Sequence, residues 1–375
     1  MVLRAMYSGV SGLRAEGEAI GVVGDNIANI NTVGFKRQRV VFQDVLGHSI
    51  LAGSGSALPG SGVRIGDIQQ MYTQGSLSNT GVSTDIALNG DGFLVVNGTV
   101  DGITGNFYTR AGQTTINKDG FLVNPDGLNV QGYKANPDGT LQAAVSSLQV
   151  PTAALSPRAT QLIEMTANLD ATIDPMVAPW DLTTPETTSD HAQSITVFDS
   201  LGEQRTLDVY FRKTGANAWE YHVVADGAEL AGGTAGTAQE VGTGTLTFST
   251  AGALLDAQTP QLSIDFAGGA TAAQLVDIEF GEDVTNDLAT GFGGTTQFAS
   301  KSAASAVSQD GYASGEFSGV AIDGTGLVQG LFTNGEKIAI GQLAVAKFRS
   351  NDGLGRAGNG LWIETRESGT GALGG

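Results

Sequence analysis

Three histidines, His48, His191 and His222, are the residues of this 375-residue chain best suited to bind a metal or move a proton near neutral pH. They stand far apart, in no metal-ligand spacing, and each reads as an ordinary surface or strand residue. The chain has no cysteine, which excludes disulfides, thiolate metal sites and cysteine nucleophiles. Asn89-Gly90-Asp91-Gly92, Asp119-Gly120, Asp126-Gly127 and Asp138-Gly139 invite comparison with calcium loops. None of them completes the alternating acidic ligands and distal Glu of such a loop. They read as hairpin turns, because both residue types tolerate positive φ. Gly60-Ser61-Gly62-Val63-Arg64-Ile65-Gly66 has one residue too many for the dinucleotide fingerprint and opens no helical pattern. No nucleophile elbow or carboxylate pair stands in a recognisable setting. No catalytic, metal or cofactor residue is therefore assigned. Trp180, Trp219 and Trp362 could be platforms of a secreted β-rich adhesin or carbohydrate-binding protein, although Trp219 sits in strand alternation, which suits a core.

The formal net charge of −19 argues against nucleic acid and against docking on an anionic membrane. The first ten residues lack the unbroken apolar core of a secretory signal. No window approaches the roughly 20 apolar residues of a membrane span. The sequence alone reads as cytoplasmic, or as exported by a route that leaves no cleavable signal.

Residues 1–30 carry the one strong helical pattern. Met6, Leu13, Ile20 and Ile27 recur every seven residues, and Leu3 and Val10 begin an offset series that continues at Gly17 and Gly24. This 3–4 alternation is a coiled-coil-like stripe, expected to lie against another helix. The competing reading is an amphipathic helix packed on its own domain. Glycines 9, 12, 17, 21 and 24 favour the partner reading, since each lowers helix stability by about 0.8–1 kcal/mol against alanine and lets backbones approach. The helix should be marginal alone. Asn29-Ile30-Asn31-Thr32-Val33-Gly34 ends it.

Residues 31–75 show no period and read as an irregular connecting segment. Beyond 76 the chain reads as strands and tight turns. Prolines 151, 157, 175, 179 and 185 mark a linker into a second unit, in which Leu207–Phe211 and Trp219–Val223 alternate as a half-buried hairpin should. The expected architecture is mainly β. Two antiparallel β domains, 147–296 inserted into one built from 76–146 and 297–375, accompany an N-terminal coiled-coil-forming helix.

Ser11-Gly12-Leu13-Arg14-Ala15 and the run Asp25-Asn26-Ile27-Ala28-Asn29-Ile30-Asn31-Thr32-Val33-Gly34-Phe35-Lys36 resemble the N-terminal signature of the flagellar rod and hook axial proteins. Asn26, Asn29, Asn31, Thr32, Gly34 and Phe35 carry it, with Asp25 where the family usually has Asn. Leu88–Phe93 and Tyr108–Gly112 resemble the same family, with Thr114 at a position usually aromatic. Ser194-Ile195-Thr196-Val197-Phe198-Asp199-Ser200-Leu201-Gly202 resembles the β domain that hook members carry and short rod members lack. Gly341–Ala346 and Gly360-Leu361-Trp362 resemble the hook's returning strands. A second heptad helix follows the loop at Gly369–Gly375 in the family, and the sequence reads as lacking it.

The resemblance implies a non-enzymatic, extracellular subunit of the bacterial flagellum that needs no cofactor. It would polymerise with itself into a flexible tube, the universal joint between motor and filament. The implied assembly interface is Leu3, Met6, Val10, Leu13, Ile20, Ile27 and Ile30. The implied partners are the distal rod protein, the hook cap, the hook-filament junction proteins and the flagellar export apparatus, without membrane insertion. A distal rod or other hook-associated axial protein is the nearest alternative.

Overall fold

The structure, a computed structural model, describes residues 2–46, 60–137, 139–151 and 153–375. His48, Asp138 and most of the Gly/Ser/Pro loop 53–62 therefore lie outside the described residues. The chain forms two compact units. Unit 1 gathers Met1–Thr152, Ser318–Leu331 and Lys337–Gly375, and unit 2 gathers Ala153–Phe317 and Phe332–Glu336.

Unit 1 opens with a helix, α1 (Val2–Ala28). It stops just short of residue 30 because the chain tightens: Thr32 N donates to Asn29 O at 3.0 Å and Phe35 N to Thr32 O at 3.2 Å. The segment 31–75 corrects the expectation of an irregular connector. It holds an antiparallel pair, β1 (Gln38–Leu46) and β2 (Gly60–Gln70), with Val40 opposite Ile68. Register shifts between Val41 and Phe42 and between Asp44 and Leu46 break the alternation that would have announced the strands. α1 packs across this pair. The helix, weak by composition, is thus supported by a ribbon of its own chain.

The main sheet of unit 1 is built on the hairpin of β3 (Phe93–Val100) and β4 (Ile103–Thr109), with Val95 opposite Tyr108. Strand Asn129–Ala135 joins β3 to the returning strand Lys337–Leu343, and Leu361–Ile363 closes on β4. Phe93, Val95, Tyr108, Ala346 and Trp362 form the core, capped by Tyr72 and Phe348. Phe93 and Trp362 meet edge to face at 5.3 Å between ring centroids, a geometry that suits the aromatic quadrupoles.

Unit 2 has a five-stranded antiparallel sheet in chain order, from His191–Phe198 to Leu254–Gln258. A second sheet centres on Leu162–Asp170, which pairs in parallel with Gln274–Glu279 and Thr296–Phe298 and antiparallel with Ala303–Gln309. These last two strands put the end of unit 2 near residue 317 rather than at 296. Polar/apolar alternation cannot tell which neighbour a strand will pair with. Leu207, Val209 and Phe211, with Trp219, Tyr221 and Val223, meet Ile163, Met165, Ile278 and Phe280 in one core. Asp199, fully buried, accepts from Leu201 N and Glu203 N and forms an ion pair with buried Arg205 at 3.1 Å. One carboxylate thereby fixes the Asp199–Gly202 turn and neutralises a buried cation.

Candidate assembly surface

The two faces of α1 are unlike. Ser8, Ser11, Gly12, Ala15, Ala19, Val22 and Asn26 are partly or fully buried, a heptad-spaced stripe of mostly small residues against the β1–β2 pair. Small side chains let helix and ribbon approach. Gly62, at φ +106, leaves no room for a side chain beside the helix: a Cβ there would lie 2.1 Å from Ser11 Oγ. Ser11 Oγ accepts from Val63 N at 3.2 Å. Further along, Asn26 Nδ2 donates to Gln38 O at 2.8 Å while its Oδ1 accepts from Gln38 N at 2.8 Å. This paired bond fixes the end of the helix to the start of β1.

The apolar heptad stripe lies on the other side. Met6, Leu13, Ile20, Ile27 and Ile30 are 63–78 % exposed, and Val10 is 45 % exposed. The side chain of Leu3 lies outside the described residues. The structure thus leaves the remaining predicted interface residues open to solvent, Ile30 just beyond the end of α1, and adds Tyr7, Val23 and Val33, which the heptad count missed. Their adjacency to stripe positions was the available signal, since a packing face spans more than two positions per heptad. The five helical glycines have nothing within 4 Å of where a Cβ would stand. Within one chain they make no close approach.

The signature residues after the helix serve the joint between α1 and the sheet. Asn29 Oδ1 accepts from Thr32 Oγ1 at 3.1 Å, and its Nδ2 donates to Asp25 O at 2.9 Å. Asn31 and Thr32 are exposed, and Phe35 is half-buried. Gly34, at φ +75, passes so near the chain of Arg110 and Ala111 that a Cβ would lie 2.6 Å from their backbone atoms. Lys36 is buried, and its Nζ donates to Thr73 O at 2.9 Å. Burial, then the nearby Arg110 guanidinium, lower its pKa from the ordinary lysine value. Arg110 is itself lowered by burial, partly offset by Asp91.

The histidines, tryptophans and aspartates with chemical potential are otherwise engaged. His222 is buried, stacked on Trp180 at 4.1 Å and bonded to Glu240 Oε1 at 2.5 Å, and His191 stacks on Phe211. Burial lowers the pKa of His191. Trp219 and Trp362 are core residues, with Trp219 Nε1 donating to Gln297 Oε1 at 2.9 Å, so neither is a carbohydrate platform. Asp170, Asp181 and Asp323 accept from Thr172, Thr183 and Thr325, and these hydrogen bonds hold their carboxyls below the ordinary range. Among the described residues no group of three His, Cys, Asp or Glu is placed to hold a metal ion. No helix among them is long and apolar enough to cross a membrane.

Three families match parts of the chain: flagella basal body rod protein over residues 6–36, flagellar hook protein FlgE/F/G D1 domain over 87–173, and flagellar basal body protein FlaE D2 domain over 168–312. The flagellar hook protein FlgE of Treponema pallidum (strain Nichols) is 31 % identical, covering 98 % of this chain and 86 % of its own length. That of Salmonella typhimurium is 31 % identical over 97 % and 84 %, and that of Escherichia coli (strain K12) 31 % over 99 % and 86 %. The crystal structure of Helicobacter pylori flagellar hook protein FlgE2 superimposes with a TM-score of 0.54 at 14 % identity, over 78 % of this chain and 95 % of that one, a likeness of fold.

Proposed function

The chain belongs to the flagellar hook protein family, and we propose that the open stripe of α1 is the surface on which copies of this structural subunit join into the hook. The subunit is not an enzyme. One observation carries the reading: the small-residue face of α1 is already covered by its own chain, while the apolar face is not. Apolar patches rimmed by polar residues mark interaction sites in soluble proteins. A heptad stripe fits a helix of a neighbouring subunit, giving a coiled coil with Met6, Leu13, Ile20 and Ile27 at its seam.

In this reading the hook acts as a flexible joint carrying torque to the filament. Subunits leave through the flagellar export apparatus, and the ends of the polymer meet the distal rod protein, the hook cap and the hook-filament junction proteins. Family membership supports these partners. The absence of cysteine provides a clean test. Leu13→Cys and Ile20→Cys, oxidised in assembled hooks, should give disulfide-linked oligomers, while the exposed control Glu279→Cys in unit 2 should not. Hooks in which neither seam cysteine ever couples would refute the seam.

A further inference from the structure

Unit 1 holds a cavity of about 530 Å³ between the segment after α1, residues 74–88 and residues 110–113. Two cations line it. Arg110 is 9 % exposed; its Nη1 donates to Gly90 O at 2.7 Å and its guanidinium carbon lies 5.1 Å from the centre of the Phe93 ring. Its Nε and Nη2 are buried without a hydrogen-bond partner. Lys36, 7 % exposed, has the Thr73 carbonyl as its acceptor. Neither cation makes an ion pair among the described residues, although Asp85 also lines the cavity and Asp91 acts on Arg110 through its field. Buried charge is otherwise paired in proteins, because desolvation without a counter-charge is strongly unfavourable.

The orphaned atoms say what is missing. Nε–H and Nη2–H lie on one edge of the planar guanidinium, the edge that holds the two oxygens of a carboxylate side by side. Ile30 and Val33, exposed just beyond the end of α1, also line the cavity. A neighbouring copy brings the matching charge, with 38 acidic against 19 basic residues. We propose that Arg110 and Lys36 form a carboxylate-binding pocket, filled in the assembled hook by an acidic side chain of a second copy of this chain. The proposal rests on the polymer reading above. Nε and Nη2 are closed to solvent in the single chain, so the carboxylate enters as residues 74–88, which form neither helix nor strand, give way.

The test uses the full chain in the cells that assemble it. A photo-cross-linking amino acid at Gln113, which lines the cavity, should couple in hooks to a peptide of a second copy that contains Asp or Glu. Coupling only within its own chain, or to a peptide without an acid, would overturn the proposal. Lys36→Gln and Arg110→Gln should each raise the concentration needed for polymer growth at least tenfold. Lys36→Gln should leave the monomer's thermal midpoint unchanged or higher, because an unpaired buried charge is removed. If Arg110→Gln fails to fold, Lys36→Gln and the cross-link decide. A monomer weakened by Lys36→Gln with unchanged growth would assign Lys36 to its Thr73 bond and overturn the pocket. Sodium succinate, compared with sodium chloride at equal ionic strength, tests a free anion. A succinate-specific rise in the wild-type midpoint that Lys36→Gln abolishes, with no inter-subunit cross-link, would overturn the second copy as occupant. Normal hooks from both pocket variants but none from Ile20→Asp would overturn the pocket and leave the polymer reading standing. Normal hooks from Ile20→Asp would instead refute the seam.

Discussion

Replacing Ile20 with aspartate should block polymer growth and leave the single subunit folded. Full burial of an isoleucine side chain contributes about 1.5–3 kcal/mol, and Ile20 is still 70 % exposed in the single chain, so covering it on assembly contributes about 1–2 kcal/mol. Aspartate forfeits that, and a carboxylate closed into an apolar seam adds roughly 2 kcal/mol more. A loss of roughly 3–4 kcal/mol per added subunit raises the concentration required for growth by more than a hundredfold, at about 1.4 kcal/mol per factor of ten. The monomer should barely respond. Exposed substitutions usually change stability by less than about 0.5 kcal/mol, and the new like-charge spacing to Glu16 adds only about 0.2–0.5 kcal/mol. The assay compares thermal unfolding of purified monomers, then counts hooks by electron microscopy, with Glu18→Asp as a nearby exposed control. Normal hooks from Ile20→Asp would refute the seam. Loss of cooperative unfolding in the monomer would show that the stripe packs within its own subunit.

Three further outcomes are expected. Gly34→Ala should destabilise unit 1 by roughly 2 kcal/mol or more in denaturant titrations, since a left-handed backbone costs about 1–2 kcal/mol for alanine and the Cβ also meets the backbone of Arg110; a change below about 0.5 kcal/mol would mean the joint relaxes freely. Asp199→Ala should cost about 3–5 kcal/mol in unit 2, because it leaves buried Arg205 without its buried partner, and a stability equal to wild type would show that Glu203 replaces it fully. Alkali should weaken unit 1: burial, with help from Asp352 and Glu364 respectively, pushes Tyr72 and Tyr108 up from 10 to about 12. The unfolded chain then releases these protons near pH 10 and the folded chain near 12, so stability falls as pH rises between them. Tyr72→Phe and Tyr108→Phe should flatten that fall, and folded-state tyrosinate absorbance rising at pH 10 at these two positions would contradict the argument.

Much of the molecule was legible along the chain because its signals are local. The seven-residue recurrence from Met6 to Ile27 depends only on helical pitch, so the stripe could be read before any partner was known. Alternation placed Trp219 in a core and Leu207–Phe211 beside it, since a strand's two faces follow from its pleat. The signature Asn26–Phe35 was visible as residues, but its purpose was not. Only the folded chain shows Asn26 bonded both ways to Gln38 and Gly34 pressed against Arg110. The β1–β2 pair escaped notice because its bulges break alternation, and with it escaped the support that holds α1. The end of unit 2 was misplaced because Thr296–Phe298 and Ala303–Gln309 pair with Leu162–Asp170, a choice made across more than a hundred residues. Lys36 and Arg110 lie far apart in sequence. Burial of both around one cavity is a property of the tertiary structure, because desolvation depends on what the fold places around a charge and no local pattern encodes that.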